Sequence, residues 1–164
     1  MKVLILTEGS PEIGFGHITR CTAIRQALMK VDPEIETKMV ILSPGNAQKF
    51  LGDYLSDADI FDWHSSREQT KILAQKYDVV IVDSYLAPVS IYEMLSQQLD
   101  GKLFMIDDYN RIDYPQGTVI SPSIYGDQIL YKQKEGVQYL LGRKYVILRR
   151  EFWDNNFKNI NKEV

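Results

Sequence analysis

The chain is 164 residues long, 45% hydrophobic and 25% charged, which fits one globular domain with a sizeable core and excludes a disordered chain. Its 22 acidic and 19 basic residues leave a formal charge of -3, too little positive field to gather a phosphate backbone, so nucleic acid is excluded as a partner. No apolar stretch approaches the roughly 20 residues that cross a bilayer, and the start MKVLILTEGS is too short for a secretory apolar region, which points to the cytoplasm.

In chain order, KVLILT (Lys2 to Thr7) is a short aliphatic run, the pattern of a strand buried on both faces. A glycine-rich loop follows, and then HITRCTAIRQALMKV spaces Ile18, Cys21, Ile24, Ala27 or Leu28 and Val31 by three and four, which predicts an amphipathic helix. TKMVIL (Thr37 to Leu42) reads as the second strand, and Asn46 as the cap of a short helix in PGNAQKFLGDYL. ADIFDW (Ala58 to Trp63) is a weak third strand. After it, Ser66 with Gln69 forms a capping-box pattern that opens a helix in SREQTKILAQKY.

DVVIVDS (Asp78 to Ser84) is the clearest strand in the chain, and it ends on an aspartate. A helix around PVSIYEMLSQQL leads to KLFMIDDY (Lys102 to Tyr109), a further apolar strand ending in acids. Beyond about Tyr114 the pattern loosens. VQYLLG and KYVILRREF read either as edge strands or as a turn into a final helix, and the tail WDNNFKNINKEV is polar and rich in asparagine.

Strands separated by helices are the signature of βαβ units, so the expected fold is α/β: a Rossmann-like parallel sheet with helices on both faces. Residues 1–150 form this domain, and 151–164 are a tail or the start of a linker. In such sheets ligands bind beyond the carboxyl ends of the strands. That directs attention to the loop Glu8 to Gly16, to Asp83 to Tyr85, and to Asp107 to Arg111.

Neither G-x-G-x-x-G nor the phosphate loop G-x-x-x-x-G-K-[ST] is present, because Gly14-Phe15-Gly16 is followed by Thr19 where a third glycine belongs. A nicotinamide-binding domain and a P-loop nucleotide hydrolase lose ground accordingly. The two histidines and the lone Cys21 show no metal-ligand spacing, so no metal and no cofactor are expected.

His17 falls at a helix start, where the positive dipole end favours the neutral imidazole and suits a general base; the alternative is a ring that simply hydrogen-bonds the loop. Arg20 lies one turn on, as a loop anchor or a substrate ligand. Asp83, Asp107 and Asp108 end strands, where carboxylates either orient a histidine and hold sugar hydroxyls or cap and bond loops. Tyr85 either presents a hydroxyl at the same edge or, as one of 10 tyrosines, has no special role, and His64 in DWHSS reads as a surface loop residue.

The strings IGFGHITRC, IVDSY, MIDDYNR and LLGRKYVILRREF, in this order over most of the chain, resemble the hydrolases that release UDP from UDP-2,4-diacetamido-2,4,6-trideoxy-β-L-altropyranose in pseudaminic acid synthesis, and the related spore-coat polysaccharide proteins. The resemblance implies the N-terminal domain of a GT-B-like fold. It implies that His17 activates a water which attacks the anomeric carbon, that Gly14, Phe15 and Gly16 shape the catalytic loop with it, and that Arg20, Asp83, Tyr85 and Asp108 bind the UDP-sugar. It also implies a second, nucleotide-binding domain beyond the LRREF element, supplied by further chain or by a partner chain. The same residues fit two other roles: the acceptor-binding half of a GT-B glycosyltransferase, or a sugar-binding module without catalysis.

Overall fold

The computed structural model describes residues 1–43 and 57–153. The helix expected after Asn46 and the tail from residue 154 lie outside the described residues. Seven parallel strands form one sheet: β1 (Lys2–Glu8), β2 (Glu36–Leu42), β3 (Asp59–Ile60), β4 (Val79–Asp83), β5 (Leu103–Ile106), β6 (Gly117–Ser121) and β7 (Val137–Leu141). Their order across the sheet is β3-β2-β1-β4-β5-β6-β7. The chain is thus an α/β protein of Rossmann-like type. No described helix is long and apolar enough to cross a membrane.

Among the described residues three α-helices cover the sheet: α1 (Gly16–Val31), α2 (Arg67–Ala74) and α3 (Val89–Leu99). Alternation along β1 divides its side chains between the faces. Val3 and Ile5 join Ile18 and Cys21 of α1 in one core cluster, whereas Leu4 and Leu6 join Ala74 of α2 and Ile91, Tyr92 and Leu95 of α3 in the other. Each such buried aliphatic side chain contributes about 1.5–3 kcal/mol of hydrophobic free energy. Helices therefore lie on both faces, as the pattern of the sequence predicts.

Four local expectations are corrected. Val31, assigned to the apolar stripe of α1, is 83% exposed, because the helix ends there and the next strand turns away at Asp32. The Ser66 side chain makes no capping bond; Asp62 instead accepts the amides of His64 and Ser65 and organises the turn before α2. The expected strand Ala58 to Trp63 shrinks to Asp59–Ile60, and the apolar run Lys102 to Tyr109 pairs only over Leu103–Ile106. The Asp107 amide still donates to the Ile120 carbonyl of β6 at 3.0 Å, while its carboxylate binds the loop that follows.

Beyond β5 the crossovers run without an α-helix, which is why the sequence pattern loosens there. VQYLLG supplies β7 at the sheet edge, pairing with β6 from Val137 to Leu141. KYVILRREF, with Arg143 before it, forms two single turns, Arg143–Tyr145 and Arg150–Phe152. Between them Ile147 packs onto the α1 side of the core.

Candidate functional site

The strand order reverses between β1 and β4: the chain leaves β1 toward β2 on one side and later returns to β4 on the other. In parallel α/β sheets ligands bind at such a switch point, beyond the carboxyl ends of the strands. The loop from Gly9 to Phe15 closes the β1 side. Ser10 and Gly14 pair across it, with Gly14 N–H donating to the Ser10 carbonyl at 2.8 Å, and Ser10 Oγ accepts the amides of Glu12 and Ile13. Gly14 has φ +80°, a conformation that favours glycine. The turn delivers the chain into α1 at Gly16 and sets His17 in its first helical turn, beside the end of β4.

His17 is 5% exposed and Asp83 fully buried. His17 Nδ1 stands 2.7 Å from Asp83 Oδ1. At that distance from a carboxylate Nδ1 carries the proton, so the 3.3 Å approach of Arg20 Nη2 to the same nitrogen is a contact between two donors and not a bond. Nε2, the other ring nitrogen, is engaged by no described residue.

Arg20 clamps the cluster from one turn along α1. Its Nε and Nη2 donate to Asp83 Oδ2 and Oδ1 at 2.8 and 2.6 Å, and its Nη1 donates to both oxygens of Asp108 at 2.8 and 3.0 Å. Burial works to lower the Arg20 pKa, but the hydrogen bonds and charges of Asp83 and Asp108 outweigh it and raise the pKa. Burial likewise works to raise that of Asp108, yet bonds from Arg20 and Tyr85 hold it below its usual value. Tyr85 donates its hydroxyl to Asp108 at 2.6 Å and sets its ring edge-on to His17, centroids 4.2 Å apart. Burial first, and the bond to Asp108 second, raise the Tyr85 hydroxyl's pKa, so it remains a donor. Tyr109 stacks edgewise on Tyr85 at 5.3 Å and is 54% exposed.

Cys21 points its thiol at Asp83 from 3.6 Å, and burial, then the Asp83 charge, push its pKa up, so it is an inert core group. Asp107 separates from its neighbour in role. Its oxygens accept the amides of Asn110 and Arg111 and the hydroxyl of Tyr131 at 2.7, 3.2 and 2.6 Å, which makes it the fastener of the loop after β5. Gly14, Phe15, Gly16, His17, Arg20, Asp83, Tyr85 and Asp108 thus meet at one edge of the sheet, or in the loop that builds it. Among the described residues, no group of three or more His, Cys, Asp or Glu side chains is placed to hold a metal ion.

Two residues beside the site have contacts that the sequence reading did not assign. Glu8, at the end of β1, is fully buried and accepts hydrogen bonds from the loop after β4. His64, expected on the surface, packs edge-on to Trp63 and brings Nε2 to 3.3 Å from Ser84 Oγ and 3.4 Å from Glu8 Oε2. Burial, only partly offset by Glu8 and Asp62, lowers its pKa. The signal for Glu8 was its parity: it shares a face with Leu4 and Leu6, so an acid there had to be buried.

No family model matches the chain. An uncharacterized protein of Methanocaldococcus jannaschii is 25% identical over 169 aligned positions, which cover 93% of this chain and 32% of that protein. The chain spans about a third of that relative's length. Among solved structures, a hypothetical protein of Streptococcus mutans matches 73% of this chain and 45% of its own, with a TM-score of 0.43 and 16% identity.

Proposed function

We propose that this chain is the base-bearing domain of a hydrolase that releases UDP from a UDP-linked sugar. The observation that carries the reading is a buried imidazole at the carboxyl end of β4, with one nitrogen tied to Asp83 and the other engaged by no described residue. Two carboxylates and one guanidinium surround it, Asp83, Asp108 and Arg20. That set holds one surplus negative charge, which stabilises the imidazolium formed when His17 takes a proton.

In this reading His17 Nε2 removes a proton from a water held at the site, and the water oxygen bonds to the anomeric carbon. The bond from that carbon to the phosphate oxygen breaks, its electron pair leaves with UDP, and the configuration inverts. The imidazolium returns its proton to solvent, so one water and one UDP-sugar give UDP, free sugar and a proton. Asp83 keeps the ring in the productive tautomer, Arg20 keeps Asp83 and Asp108 in place, and Tyr85 with Tyr109 offers ring faces to the sugar. The likeness of GFGH and LRREF to the UDP-sugar hydrolases supports the substrate class. A second domain for the nucleotide, and a cytoplasmic setting, belong to the same proposal.

Product analysis tests it. Incubated with UDP-2,4-diacetamido-2,4,6-trideoxyaltrose, the full-length protein is expected to yield UDP and free sugar in equal amounts. A new glycosidic bond in place of free sugar would reassign His17 to an acceptor hydroxyl and overturn the hydrolase reading.

A further inference from the structure

Among the described residues the chemistry above leaves two buried acids unused: Asp107, which fastens the loop after β5, and Glu8. Glu8 is fully buried at the carboxyl end of β1, on the face opposite His17, where Leu4 and Leu6 of the same strand belong to the apolar core. A carboxyl at such a position costs several kcal/mol unless its oxygens are satisfied. Its partners come from the turn after the neighbouring strand β4 and from His64. Oε2 accepts the Ser84 hydroxyl at 2.5 Å, and Oε1 accepts the amides of Tyr85 and Leu86 at 2.6 and 3.0 Å. His64 Nε2 stands 3.4 Å away.

Ser84, His64 and Glu8 do not make a nucleophilic triad. The Ser84 hydroxyl proton goes to Glu8 and not to His64, its oxygen already accepts the amides of Leu86 and Ala87, and it is 1% exposed. Ser84 therefore closes its own turn locally, and that turn leaves the Tyr85 amide without a local partner. Glu8 fills this gap. Tyr85 in turn touches His17 with its ring and Asp108 with its hydroxyl.

We propose that Glu8 is a positioning residue for the His17 site: through the amides of Tyr85 and Leu86 it fixes, from the opposite face of the sheet, the tyrosine that packs against the imidazole. What this positioning serves rests on the reading of His17 as the base; the positioning itself does not.

The chain has two histidines, so correlation spectra of the imidazole nitrogens with the carbon-bound ring protons show two sets of signals, assigned with His64→Gln. Tyr85→Ala supplies the reference for a His17 ring without its aromatic neighbour. Glu8→Ala is expected to move the His17 ring-proton signals most of the way to that reference. Glu8→Gln should leave them near the wild-type positions, because its amide oxygen still accepts both backbone donors. If Glu8→Ala does not fold, Glu8→Asp, with its carboxyl withdrawn by one methylene, should shift the signals in the same direction and by less.

His17 signals that stay at the wild-type positions in a folded Glu8→Ala or Glu8→Asp protein overturn the assignment, as does a Glu8→Gln shift equal to that of Glu8→Ala. The readout needs no turnover. Loss of UDP release in the wild-type assay removes the hydrolase reading and leaves Glu8 standing, whereas unmoved His17 signals do the reverse.

Discussion

A histidine works as a base only while its second nitrogen is held in the right protonation state, and in this chain that task falls to Asp83. Its carboxylate fixes the proton on Nδ1 and faces the charge that forms when Nε2 is protonated. Asp83→Asn offers an amide N–H to the ring, reverses the tautomer and frees one arm of Arg20. The expected result is a fall in kcat of roughly 10²–10⁴-fold with little change in KM, read by steady-state UDP release. His17, Arg20, Asp83 and Asp108 were legible in the sequence because each follows an apolar run that had to be a strand or opens a helix that had to follow one. The partition between Asp107 and Asp108 was not. Adjacent aspartates point to opposite sides, and only the path of the loop decided which met Arg20 and which met Tyr131. His64 was misread because a polar string such as DWHSS carries no sign that Trp63, hydrogen-bonded to the Thr7 carbonyl and fully buried, drags its neighbour inward.

Among the elements, the parallel strands were readable from their unbroken aliphatic runs, since a strand covered on both faces shows no alternation. The boundaries were less so. β5 is paired only to Ile106, after which the Asp107 carboxylate binds the loop, and β7, last in the described sheet, has no fully buried side chain. The start of β6 depends on one glycine. Gly117 has φ +145°, and a Cβ there would lie 2.6 Å from the Leu103 carbonyl oxygen, a backbone atom that cannot retreat without breaking the β5–β6 ladder. Gly117→Ala is expected to destabilise the protein by about 1–3 kcal/mol or more in chemical denaturation. Gly9 is a milder case. Its Cβ would meet the flexible end of Ile18 at 2.5 Å, so Gly9→Ala should cost less stability while displacing the α1 start that carries His17.

At the scale of the molecule, the switch point between β1 and β4 explains why the chemistry gathers on one edge. The first and fourth strands end side by side, with Thr7 paired to Asp83, so the loops behind them face each other. One face of this junction holds His17, Asp83 and Arg20; the other holds Glu8, Ser84 and His64. The charge cluster also makes stability depend on pH. Asp108 has a folded pKa below its usual value, so the stability it contributes is present above the ordinary carboxylate range and is lost as pH falls through the lowered value. Urea unfolding of wild type and Asp108→Asn should therefore differ near neutrality and converge in acid. A difference that grows on acidification would reverse the assigned sign.

The most direct measurement pairs turnover with binding in one comparison of wild type and His17→Ala. UDP release from UDP-2,4-diacetamido-2,4,6-trideoxyaltrose is followed in the full-length protein, and UDP affinity is measured by calorimetry. If His17 is the base, the variant loses release by at least the roughly 10²–10⁴-fold that a positioned base supplies, and binds UDP as the wild type does. A variant that still turns over at the wild-type rate would contradict the assignment.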